Sequence, residues 1–164
     1  MTREAIAVSL ILMPAPALAE WKVEQQGTKV MSHRNDPVGT IVRLAAEAPS
    51  HDITAYLQVE CFEHPPLSGK HFGVVLSKAT TPGPIAYEYK FDDAAPVLRG
   101  PYSRTSLTVV SLGDAESKEF KGLSKAKRLQ LTLLPRQGPK LTFNFDLSGG
   151  ASAIDAIPCK EKSP

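Results

Sequence analysis

The chain has little of what usually announces a chemistry. Of its 164 residues two are cysteine, one is tryptophan and 7% are aromatic, and the formal net charge is +2. So small a positive excess argues against nucleic acid as a partner, where Lys and Arg would cluster. Two cysteines, not spaced as Cys-x-x-Cys, argue against thiol-exchange chemistry. There is no Gly-x-Ser-x-Gly elbow of a nucleophilic hydrolase and no glycine-rich loop of the dinucleotide or nucleotide type. No apolar run reaches the ~20 residues that a membrane-spanning helix needs.

The main apolar stretch lies at the start. Arg3 precedes Ala5-Ile6-Ala7-Val8-Ser9-Leu10-Ile11-Leu12-Met13, and Pro14-Ala15-Pro16-Ala17-Leu18-Ala19 follows. Small residues at Ala17 and Ala19 suit a signal peptidase pocket, and a preceding proline keeps the site extended. Residues 1–19 therefore read as a secretory signal peptide cut after Ala19, with a buried N-terminal helix or strand as the alternative. The remainder, Glu20–Pro164, is the size of one domain. It has no integral membrane segment and no cysteine near the cleavage site to carry a lipid. A soluble periplasmic or secreted protein is expected, and in an oxidising compartment an even cysteine count points to a Cys61–Cys159 disulfide. Closing a loop of about 100 residues contributes up to about 4.7 kcal/mol by chain entropy. Two free buried thiols are the alternative.

Period-two alternation dominates the mature chain. Ala55–Cys61 sets Leu57, Val59 and Cys61 against Tyr56, Gln58 and Glu60. Ile85–Phe91 gathers Ile85, Tyr87, Tyr89 and Phe91 opposite Glu88 and Lys90. Leu129–Leu133 and Leu141–Leu147 alternate in the same way. Such patterning predicts strands with one face in the core and one in water. Weaker strands are expected at Trp21–Val23, Val38–Leu44, Phe72–Leu76 and Ser106–Leu112. The chain's 14 prolines disfavour long helices. Pro/Gly-rich links such as Arg99-Gly100-Pro101 and Arg136-Gln137-Gly138-Pro139 punctuate the runs, and the latter predicts a hairpin between 128–134 and 140–147. Two short helices are plausible, at Phe120–Lys127 and Ala151–Ile157. The fold expected is mainly β: an antiparallel β-sandwich or barrel-like domain with one or two short helices over 20–159, followed by a polar tail at 160–164.

Few residues suggest chemistry. Among His33, His51, His64 and His71, only His64 and His71 lie near Cys61, across a Pro-Pro-Leu-Ser-Gly loop. A metal site would need three or four converging ligands, and a solvated loop is the simpler reading. The Asp92-Asp93 pair precedes Ala-Ala-Pro and reads as a turn. The Tyr87, Tyr89, Phe91 stripe reads as core, with a ligand groove as the minority alternative. Lys118, Lys121, Lys125, Lys127 and Arg128 surround the first short helix beside Glu116 and Glu119 and read as a solvated face. No catalytic, cofactor-binding or metal-binding residue is assigned.

The order of features resembles the TagO/VasI-like family of exported proteins associated with type VI secretion. The resemblance runs over about 21–159: Trp21, Leu57-Gln58-Val59-Glu60-Cys61, Val74-Val75, Ala86–Asp92, Leu129-Gln130-Leu131, Phe143–Gly149, Ala153-Ile154 and Cys159. The chain departs from that pattern at Glu60, where such proteins often carry Arg, and in lacking a Trp near the end. The resemblance implies a non-catalytic envelope accessory protein whose partner is an envelope or secretion-system protein. Two alternatives from other classes are a small envelope hydrolase and an exported enzyme inhibitor.

Overall fold

The computed structural model describes residues 20–25, 40–64, 67–103 and 106–159. The expected signal peptide, His33 and the tail at 160–164 lie outside the described residues.

Two antiparallel sheets form. Strands β1 (Lys22–Gln25), β2 (Thr40–Ala45), β3 (Ala55–His64), β4 (Leu67–Leu76) and β7 (Val109–Asp114) make one, in the order β1-β2-β3-β4-β7. Strands β5 (Ile85–Phe91), β6 (Val97–Tyr102), β8 (Arg128–Pro135) and β9 (Leu141–Asp146) make the other, in the order β6-β5-β8-β9. The sheets are separate, so the architecture is a sandwich and not a closed barrel. The short helices α1 (Lys118–Leu123) and α2 (Gly150–Asp155) complete it.

The alternating apolar positions meet between the sheets. Leu57, Val59, Phe72, Val74 and Val110 from the five-stranded sheet join Ile85, Tyr87, Leu131, Leu133, Phe143 and Phe145 from the four-stranded one in a single buried cluster. The hairpin predicted at the C-terminal side is present, with Leu131 opposite Phe143 and Leu129 opposite Phe145.

Two stretches differ from expectation. The loop expected between His64 and His71 is mostly strand, because β3 and β4 pair continuously from Ala55↔Leu76 to His64↔Leu67. The Arg99-Gly100-Pro101 link, expected only to punctuate the strands, lies inside β6, which pairs with β5 around a register shift near the Gly100–Pro101 peptide, which is cis. A strand holding Gly and Pro and no clean alternation gives little signal, and Pro is tolerated there because β6 is an edge strand.

The helices close the sandwich. α1 is capped by Ser117, whose Oγ accepts from Phe120 N at 3.1 Å, while Asp114 Oδ1 accepts from the N–H groups of Glu116 and Ser117. Its Phe120 and Leu123 enter the core. Gly122 is required by a close approach: an added Cβ would lie 2.5 Å from Phe91 Cζ. α2 begins after Gly149 in the left-handed region (φ 80°) and sends Ile154 into the core. Trp21 packs on its start, where a Cβ on Gly150 would meet Trp21 Cζ2 at 3.0 Å.

The Cys61–Cys159 disulfide is formed, with Cα atoms 5.5 Å apart. It ties the segment after α2 to β3. The neighbouring strand adds a second tie, Lys70 Nζ donating to Ile154 O at 2.9 Å. A cation at a helix C-terminus also favours the helix dipole.

Candidate functional site

A row of buried, hydrogen-bonded polar groups lies on the outer face of the five-stranded sheet. Antiparallel register puts Arg43 (β2) opposite Gln58 (β3), and Glu60 (β3) opposite both Ile41 (β2) and His71 (β4). Side chains two apart on β3 share a face, so these residues converge. Arg43 Nε donates to Gln58 Oε1 at 2.7 Å, and Gln58 Nε2 donates to Glu60 Oε2 at 3.2 Å. The chain of bonds ends there: Glu60 Oε1 and His71 Nε2 are both shut off from solvent and have no hydrogen-bond partner. The His71 ring stands edge-on to Phe62 at 5.1 Å.

Alternation alone placed Gln58 and Glu60 in water. In the structure Gln58 is 0% exposed, Glu60 3%, and Ile41 on the same face is fully buried. That environment disfavours charge. Burial pushes the Glu60 carboxyl up to about 7, against the smaller opposing effects of the Gln58 hydrogen bond and the Arg43 charge. A sequence signal for this burial does exist. The face that carries Gln58 and Glu60 also carries Tyr56 and Phe62, whereas the outer face of β5 carries Glu88 and Lys90.

A second polar cluster bridges the sheets at the β6–α1 seam. Arg99 Nε contacts Glu119 Oε1 at 2.6 Å, and the Arg99 guanidinium lies 5.8 Å from the Tyr89 ring centre. Tyr87 O–H donates to Leu112 O at 2.9 Å. Burial, followed by the Glu119 charge, pushes the Tyr87 phenol up. Burial raises the Glu119 carboxyl, but the Arg99 hydrogen bond and its other partners prevail and hold it below the usual carboxylate range. This seam is a structural lock. The gap beneath it, walled by Phe72, Tyr87, Tyr89 and Leu112, has a volume of about 10 Å³ and an apolar lining. That is at the lower limit for one water, so the tyrosine stripe is core and not a ligand groove.

The other candidates separate. His51 is exposed in a turn with φ 49°, the His64 side chain lies outside the described residues, and His71, half-buried, continues the row of Glu60. Among the described residues no three His, Cys, Asp or Glu gather to hold a metal. Asp92 does have a function, but a structural one. At φ 46° its Oδ1 accepts from Lys127 N at 3.0 Å and Arg128 N at 2.9 Å, clamping the β5 end to the start of β8. Lys118, Lys121, Lys125, Lys127 and Arg128 are exposed, and Lys121 pairs with Glu116 at 3.2 Å.

The two outermost strands of the four-stranded sheet differ. The edge of β9 is covered by the β2–β3 connection, with Glu47 N donating to Asn144 O at 2.8 Å and Thr142 N to Ser50 Oγ at 3.1 Å. On its far side β6 has no strand neighbour among the described residues. It exposes Leu98 (59%) and Tyr102 (48%). No helix among the described residues is long and apolar enough to cross a membrane. Comparison with protein-family models, curated proteins and solved structures found no match to the chain.

Proposed function

We propose that this is an exported, non-catalytic accessory or binding protein of the cell envelope. Its β-sandwich would present a surface to another envelope protein, or to cell wall, in the manner of the type VI secretion-associated proteins it resembles. The observation that carries the reading is the Cys61–Cys159 bridge, since structural disulfides form and persist in oxidising compartments. The surface best suited to recognition is β6, an edge strand with exposed Leu98 and Tyr102, because strand edges offer free backbone groups to extended partners.

Expression in a Gram-negative host followed by intact mass measurement under non-reducing conditions tests export. The expected species begins at Glu20 and is two hydrogens lighter than its reduced form. Recovery of the full-length chain in the cytosol with both thiols free would contradict the reading. A photo-crosslinking residue at Leu98 is expected to capture an envelope component that the same residue at Thr132 does not. Equal capture from both positions would remove β6 as the recognition surface, and peptidoglycan turnover by the purified protein would favour the hydrolase alternative.

A further inference from the structure

We propose that Glu60 and His71 form a proton-sharing pair that makes the outer face of the five-stranded sheet sensitive to pH. Three observations converge on this. The two residues are register partners on adjacent strands, which places their Cβ atoms about 4.5–5.5 Å apart on one face. Glu60 is 3% exposed, and one of its oxygens has no partner. On the register partner, His71 Nε2 has none either.

Two orphaned polar atoms on register-paired residues, each shut off from solvent, are costly unless something joins them. A proton does so. Protonated Glu60 carries an O–H that His71 Nε2 accepts once a side-chain adjustment or one bridging water closes the gap between them. The hydrogen-bonded chain Arg43–Gln58–Glu60 then extends to His71 and crosses three strands without a break. When the proton leaves to solvent, the donor is lost and a buried carboxylate remains, held by the Gln58 amide and the Arg43 charge alone. Burial already favours the protonated form of this carboxyl.

The charged groups around the pair come from each neighbouring strand. Lys22 (β1) and Arg43 (β2) occupy the row that contains Gln58. His71 (β4) and, beyond it, Asp114 (β7) continue the row of Glu60. Asp114 is engaged in the turn before α1, and Arg43 is engaged with Gln58.

The sign of the effect is fixed. A carboxyl that is harder to ionise folded than unfolded contributes stability in full below its unfolded value, and that stability is lost as pH rises toward about 7. Carboxylates held low, such as Glu119, act in the opposite direction and in a more acidic window.

The test is urea unfolding of the mature protein across pH 5–8, with Glu60→Gln and His71→Phe alongside, together with infrared difference spectra of the unsubstituted protein. Between those limits the wild-type unfolding constant is expected to rise roughly ten- to a hundredfold. Glu60→Gln should flatten that rise. His71→Phe keeps an aromatic ring beside Phe62 but removes the acceptor, and should move the window to lower pH. The wild-type spectrum should show a protonated carboxyl at pH 6 that is gone by pH 8. A Glu60→Gln profile parallel to wild type, an unmoved window in His71→Phe, or no protonated carboxyl at pH 6 would each overturn the proposal.

Discussion

On the outer face of the four-stranded sheet, Gln130 Nε2 donates to Asn144 Oδ1 at 3.2 Å and the Thr132 and Thr142 hydroxyls lie 3.1 Å apart. These are cross-strand rungs in contact with water. On the outer face of the five-stranded sheet, the same two-residue period puts Gln58 and Glu60 where water does not reach. The letters are equally polar in both places, but the physics differs. A wet hydrogen bond exchanges with solvent at nearly no cost, whereas a dry one must be completed or the unpaired group destabilises the fold. The four-stranded sheet completes its rungs, and the five-stranded sheet leaves Glu60 Oε1 and His71 Nε2 open. The five-stranded sheet also carries the disulfide and the Lys70 tie to α2.

Substitutions can break this contrast at graded cost. The largest effect is expected from Cys61→Ala with Cys159→Ala, about 2–5 kcal/mol in denaturant unfolding, because the bridge restrains a loop of 98 positions in the unfolded chain. Next is Gln58→Leu, which removes both the acceptor for Arg43 Nε and the donor to Glu60 Oε2 in a dry setting. A loss of about 2–3 kcal/mol is expected. The smallest belongs to the matching positions on the other sheet: Gln130→Ala and Thr132→Ala should each change stability by no more than about 0.5 kcal/mol. A Thr132→Ala cost equal to that of Gln58→Leu would erase the distinction between the two faces.

Most of the sandwich could be read from the chain. Tyr87, Tyr89, Leu131, Leu133, Phe143 and Phe145 alternate strictly, and one register satisfies them all. Strand β6 was hidden because Val97–Tyr102 is an edge strand interrupted by Gly100 and Pro101, where the partner on one side alone sets the conformation. The β3–β4 pairing beyond Cys61 was hidden because Pro65-Pro66 and Ser68-Gly69 read as a longer loop. The Asp92 clamp spans 35 and 36 positions to its partners, a separation at which local patterns carry no information. Burial of Glu60 was missed for a different reason. Alternation distinguishes one face of a strand from the other, but whether the second face meets water depends on what lies over it. Tyr56 and Phe62 beside Gln58 and Glu60 were the available clue.

Carboxyl labelling of the native protein with a water-soluble carbodiimide, read by peptide mass spectrometry, compares the two faces within one molecule. Glu88, on the outer face of β5, should be modified in the folded state, while Glu60 should remain unmodified until the protein is unfolded. Modification of Glu60 at the same rate as Glu88 in the folded protein would contradict the account.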